Sequence, residues 1–189
     1  IEFIKQHFGY EVLDAFNTLK TPAHKADLWR YCVLYIHGGI YLDIKTVLIQ
    51  NIDSVFTNRN NMYSVIGNFP NSIYQGVLAS PPKNKIFLDL IQHIVKNRYT
   101  RSYDKFINYL YKIISKKTLT NKVSFGINMI KNNEYPNIYL FQENCTSKKG
   151  DCYDGLDRYK LCCYIYNSEK KFTKENRVIK VRYSDYPWK

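Results

Sequence analysis

No run of apolar residues in this chain approaches the ~20 needed to cross a bilayer as a helix. Its opening residues, IEFIKQHF, show no signal-peptide pattern either. A membrane-spanning helix is therefore not expected within these 189 residues. No two cysteines have CxxC spacing, which argues against a zinc site. RNP, zinc-finger and other nucleic-acid motifs are absent, so a nucleic-acid partner is not expected. Internal repeats, low-complexity segments and linker-like stretches are missing too, and a single domain over residues 1–189 is expected. Acidic residues are scarce: 16 Asp+Glu stand against 28 Lys+Arg, for a net charge of +12. The imbalance is lopsided. Residues 1–95 hold 8 Lys+Arg against 7 Asp+Glu, and residues 96–189 hold 20 against 9. A basic half suits nucleic acid, acidic lipid or a phosphate-bearing ligand. Its lysines are spread through polar stretches such as KKTLTNK and NSEKKFTKENR, however, and read mainly as solvated faces.

What is present is core-forming. Hydrophobic residues make up 45% and aromatics 16%, with 18 tyrosines, a folded globular composition. The chain opens on Ile, as a processed or trimmed chain would. Two short helices are predicted in IEFIKQHF and YEVLDAFNTL, joined near Gly9. A third runs from about Ala23 to His37, started by Thr21-Pro22 and ended by Gly38 in the αL region. A short buried strand, IYLD, follows. TVLI, MYSVIGNF and SIYQGVLAS are further strands, the last stopped by Pro81-Pro82. NKIFLDLIQHIVKN and YDKFINYLYKII have helical apolar spacing, and strands return at NIYLF, KLCCYIY and RVIKVRY. The fold class is α/β. Between the last strands lies a polar loop, QENCTSKKGDCYDGLD. Its Asp spacing departs from a calcium loop, and Cys145 and Cys152 within it could bridge. Cys32, Cys162 and Cys163 sit in apolar segments and read as small core residues.

The chemistry concentrates in ADLWRYCVLYIHGGIYLDIKT, Ala26 to Thr46. Asp27 and Arg30 are three apart and share a helix face with Tyr31 and Leu34, while Ala26, Trp29, Val33 and Ile36 cover the other side. An apolar girth marks a buried helix, and a lone buried charge costs several kcal/mol, of order the penalty for an unpaired ion. Either the two charges satisfy each other or they face a cleft and bind a polyhydroxylated ligand. GGIYLD then drives a strand to a carboxylate at its C-terminal end, where ligands of open α/β sheets bind. The bland role for Asp43 is turn capping.

The segment KADLWRYCVLYIHGGIYLDIK resembles the signature of DXD-type sugar transferases, and of these glycosyltransferase family 32. The match covers about twenty residues closely, and weaker similarity runs through NSIYQGVLASPPKNKIF, about half the chain. The resemblance implies a GT-A fold, Rossmann-like, here lacking its first strands. It implies transfer of a hexose-type sugar, with retention, from a UDP- or GDP-linked donor to a glycan or protein acceptor. It assigns donor-sugar binding to Asp27 and Arg30, and the ribose and metal region to Asp43. Tyr41, Gly38 and Gly39 line the donor site, and Gln75 stands near the reacting face unless it is an ordinary strand residue. The terminal YPWK resembles the family's aromatic flap, with Trp188 closing over the diphosphate.

The sequence departs from the family where DXD has its second carboxylate, which is Lys45 here. A carboxylate would hold Mn²⁺ or Mg²⁺ against the leaving diphosphate. Lys45 can instead bring its own charge, so metal dependence is expected to be weakened. If a metal is held, Asp43 and Asp185 are the candidate ligands. The alternative is that Lys45 points to solvent and Asp43 alone anchors the ion. Two competing readings are a degenerate domain that binds nucleotide sugars without turnover and a basic nucleic-acid module. A Golgi or secretory setting and a viral or host-cytoplasmic one are both compatible with the sequence.

Overall fold

The computed structural model describes residues 1–100, 102, 104–146, 162–168 and 172–182. Helix α1 (Glu2–Thr18) is broken at Gly9, whose φ of 74° and ψ of −169° are non-helical, as the two-helix reading expected. Helix α2 (Pro22–His37) starts with Pro in its first turn, where the missing N–H has no intrahelical partner to lose. It ends at Gly38, with φ 65° and ψ −152°, a positive φ but outside αL. A Cβ there would lie 2.6 Å from the Pro82 nitrogen and 2.7 Å from the Ser80 carbonyl. The helix end therefore requires glycine for both dihedral and space.

Strands β1 (Gly39–Leu42) and β2 (Thr46–Leu48) follow, then the short helix α3 (Ile52–Val55). Next come β3 (Met62–Ile66), β4 (Ile73–Ser80) and helices α4 (Lys85–Lys96) and α5 (Asp104–Lys117). Strands β5 (Gly126–Asn128), β6 (Ile138–Thr146), β7 (Cys162–Tyr166) and β8 (Arg177–Arg182) complete the described elements. Neither α3 nor β5 was expected, and β6 runs to Thr146, taking in residues read as the start of the polar loop.

The eight strands form one mixed sheet in the order β1-β4-β3-β6-β7-β8-β2, with β5 pairing β6 off this path. β3 and β6 are parallel; the other described pairs are antiparallel. Alternation sorts the strand residues onto two faces. Met62, Leu78, Ile138 and Leu140 pack with α1, α2, α4 and α5. Tyr63, Val65, Val77, Ala79 and Phe141 form a second core with Ile165, Val178 and Val181.

β1 and β2 stand at opposite ends of this order, although Asp43, Ile44 and Lys45 alone separate them. Four residue steps reach ~14 Å at most, whereas the outer strands of a flat seven-strand path would lie ~29 Å apart. The sheet therefore curls, and residues 43–45 bridge its two edges.

Three sequence expectations are corrected. Helix α2 is not buried around its girth: Trp29 is 39% exposed, Ala26 is exposed, and Val33 and Ile36 are half-buried. Strand β1 is a half-exposed edge strand rather than a buried one, because β4 is its partner on one side only. Cys145 is bridged to Cys163, which faces it across the β6–β7 register, and not to Cys152. Cys152, Asp185, Trp188 and the Asp-rich loop segment DCYDGLD lie outside the described residues.

Candidate active site

The buried face of α2 carries Asp27, Arg30, Tyr31 and Leu34. Arg30 is the hub. Its Nη2 lies 3.0 Å from Asp27 Oδ1, and its Nη1 donates to the Gln75 carbonyl at 2.8 Å. The same Nη1 lies 3.8 Å from Asp43 Oδ1, and the guanidinium stacks 4.5 Å from the Tyr41 ring centroid. A planar guanidinium suits this multiple engagement in a way that a lysine ammonium would not. The two charges satisfy each other, as one of the two readings had it, and Arg30 reaches Asp43 as well.

Asp43 follows β1 directly. Its backbone N–H donates to the Gly76 carbonyl at 2.8 Å, which fixes it against β4. Tyr41 Oη donates to its Oδ1 at 2.8 Å, and Lys45 Nζ lies 3.7 Å from its Oδ2. Its own carbonyl accepts from the Thr46 N–H and hydroxyl. Thus the backbone closes the turn while the carboxylate faces the cluster. The Asp43 side chain is 22% exposed, so this carboxylate meets solvent. Lys45, at 14%, is folded inward and does not point to solvent.

Two contributors, Tyr74 and Gly76, were missed in the sequence, and Tyr31 was placed on this helix face without a role. Tyr74 places its ring 5.7 Å from Lys45 Nζ. A Cβ on Gly76 would meet the Tyr74 hydroxyl at 2.2 Å and Asp43 Oδ2 at 2.6 Å, so Gly76 clears the space where those groups converge. Tyr31 donates to Gln75 Oε1. A glycine inside an apolar strand signals close approach, and Gly76 in IYQGVLAS is such a position. Gln75 itself anchors α2 to β4, through its carbonyl to Arg30 and its side chain to Tyr31. Gly38 is closed in by Ser80 and the two prolines, whereas nothing lies within 4 Å of a Cβ on Gly39. His37 is exposed and packs near Phe3, and His24 is buried edge-on to Phe106.

Burial raises the Asp27 carboxyl from its ordinary 3.8 to about 6; Arg30 opposes the rise and Asp43 adds to it. Burial alone would lower the Arg30 guanidinium, but Asp27, Tyr31, Tyr41 and Asp43 together hold it above its usual range. Burial, with Asp43 assisting, pushes the Tyr41 hydroxyl up. The Tyr74 hydroxyl is raised by burial first, then by Asp43 and Glu143.

The donor set does not fit a divalent ion held in the two-carboxylate manner. Both Asp43 oxygens face cations or a hydroxyl, the second DXD position is an ammonium, and Asp27 is turned to Arg30. Among the described residues, the group of three potential ligands within 4.8 Å of one another is Glu143, Cys145 and Cys163. There the two sulfurs are joined in the disulfide and offer no thiolates. A groove of about 520 Å³ opens at the other end of β1, lined by Ile40, Ile52, Phe56, Tyr63 and Pro81 among others. Asp27, Arg30, Asp43 and Lys45 do not line it.

Residues 1–62, which include Asp27, Arg30 and Asp43, match the family described as glycosyltransferase sugar-binding region containing DXD motif. Over those residues the chain is similar to a DXD-type glycosyltransferase sugar-binding region. It is 28% identical over 186 residues to an uncharacterized glycosyltransferase, L373, of Acanthamoeba polyphaga mimivirus, covering 88% of this chain and 71% of that protein. It is 30% identical over 100 residues to the mannosyl phosphorylinositol ceramide synthase CSH1 of Saccharomyces cerevisiae, covering 51% of this chain and 26% of that protein. A putative yeast glycosyltransferase, HOC1, is 34% identical over 55 residues, or 28% of this chain and 14% of that protein. The chain thus spans about a quarter or less of these yeast relatives. No solved structure matches it significantly. Among the described residues, no helix is long and apolar enough to cross a membrane.

Proposed function

We propose that the chain is the catalytic domain of a retaining glycosyltransferase of GT-A type, moving a hexose from a UDP- or GDP-linked donor to a glycan or protein acceptor. The observation that carries this is the convergence of Asp27, Arg30 and Asp43 beside a solvent-reaching strand end. Two carboxylates and a fixed guanidinium match the hydroxyls of a sugar, accepting and donating in a defined geometry. Asp27 and Arg30 grip donor hydroxyls, and Asp43 orients the ribose side of the donor. Tyr41 and Gln75 keep these groups in place. The transition state is oxocarbenium-like, so the protein's task is to hold the sugar and stabilise the departing diphosphate.

A thermal-shift panel tests this. UDP-sugars or GDP-sugars raise the melting temperature by mass action, while single-stranded oligonucleotides leave it unchanged. Asp43→Ala abolishes the nucleotide-sugar shift. Stabilisation by oligonucleotides alone would establish the basic nucleic-acid module instead. Stabilisation without donor hydrolysis or transfer would leave a binding domain and refute catalysis. NMR of the product anomer reads retention directly.

A further inference from the structure

We infer that Lys45 takes the place of the divalent cation in this site, so that nucleoside diphosphate is bound and released without a metal. The inference rests on the glycosyltransferase reading above and specifies how that same site handles its leaving group. Lys45 occupies the second position of Asp43-Ile44-Lys45, where the family motif has a carboxylate. The decisive point is where its side chain goes. It turns in beside Asp43 Oδ2 at 3.7 Å and lies over the Tyr74 ring. Gly76, lacking a Cβ, leaves the space in which Tyr74 and Asp43 meet beside it. On the other side, Arg30 and the Tyr41 hydroxyl face Oδ1. The ion pairs of the cluster join two carboxylates, Asp27 and Asp43, to two cations, Arg30 and Lys45, and the Glu143 carboxylate acts on the hydroxyl of the same Tyr74. A divalent ion on Asp43 would have to displace the ammonium or sit within a few ångströms of it, where like charges repel strongly in a half-buried site.

The chemistry balances without such an ion. The bond from the anomeric carbon to the β-phosphate oxygen breaks, and its electron pair stays on that oxygen. The acceptor oxygen forms the new bond to the anomeric carbon, and its proton passes to the departing phosphate. Lys45, a compact charge on a flexible stem, moves from Asp43 to the phosphate as negative charge builds there. Asp43 remains held by Arg30 and Tyr41.

Binding of UDP and GDP, measured by thermal shift and calorimetry in excess EDTA and in Mn²⁺, tests the inference on three proteins. The unaltered chain binds equally well in both conditions. Lys45→Ala binds roughly ten- to a hundredfold more weakly in both, the loss expected for one charge-assisted hydrogen bond. Lys45→Asp, which restores Asp-x-Asp, binds in Mn²⁺ and not in EDTA. Binding by the unaltered chain that disappears in EDTA, or full-strength binding by Lys45→Ala in EDTA, overturns the inference and leaves the glycosyltransferase reading intact. Absence of nucleotide binding by the unaltered chain in either condition overturns both. If Lys45→Asp does not fold, its melting curve shows so, and Lys45→Ala still decides.

Discussion

Replacing Asp27 by asparagine removes a group that stays protonated to about pH 6 in the folded chain, against an ordinary 3.8. Between those values the folded chain holds a proton that the unfolded chain has lost. The stabilisation from this group is therefore full below pH 3.8 and is lost as pH rises through about 6. The gap of roughly two pH units corresponds to about 3 kcal/mol, at 1.36 kcal/mol for each. Roughly 1 kcal/mol of that falls between pH 5 and pH 7.5, and groups that titrate alike in the two proteins cancel in the difference. The side chain is 13% exposed, so solvent screening takes little from this figure. Urea unfolding of the two proteins at intervals across that range reads it. The stability difference between unaltered chain and Asp27→Asn should drift by roughly 1 kcal/mol, with the unaltered chain losing ground as pH rises. Asparagine brings its own hydrogen bonds, which offset the whole curve, so the slope and not the offset is the readout. Parallel curves would show that burial does not outweigh Arg30 at this carboxylate, and the account of the cluster would be wrong.

Four other outcomes are expected. Gly38→Ala should lower stability by more than about 2 kcal/mol through strain and collision, against about 1 kcal/mol for Gly39→Ala, which meets nothing within 4 Å; equal melting temperatures would refute the packing argument. Gly76→Ala should abolish the nucleotide-sugar shift, because the new methyl meets the Tyr74 hydroxyl and Asp43 Oδ2; retained binding would remove Gly76 from the site. Reducing the Cys145–Cys163 bridge, which closes a separation of 18 residues, should cost about 3 kcal/mol, seen as a lower midpoint in urea with dithiothreitol. Cys32, buried and with its thiol pushed up to about 12 by burial, should resist iodoacetamide in the native state by peptide mass spectrometry and react in urea; rapid native labelling would contradict its burial.

The elements that shape the site were readable because their signals are local. Thr21-Pro22 and Gly38 bracket α2, and the Asp27/Arg30 spacing places both on one face. Apolar GIYL ends at Asp43, as observed. What could not be read depends on pairing across the chain. Tyr74 and Gly76 enter the site because β4 lies beside β1, in register Leu42 with Val77. Cys145 finds Cys163 because the β6–β7 register sets them opposite, and loop proximity to Cys152 carried no information about that. Trp29 misled because the outward stripe of α2 is apolar yet exposed. The inward turn of Lys45, which separates two accounts of the phosphate chemistry, depends on Asp43 and the Tyr74 ring being already in place.

The curl of the sheet bears on how small a working piece of this protein can be. The family-matching residues 1–62 contain every charged member of the cluster, but neither strand flanking Asp43 finds its hydrogen-bonding partner among them. β1 leans on β4, and β2 on β8, more than a hundred residues later. The tripeptide between them is tethered at one end to the middle of the chain and at the other to its last described strand. A fragment that ended at residue 62 would keep the signature and lose its grip, because the clasp closes only when distant parts of the chain meet.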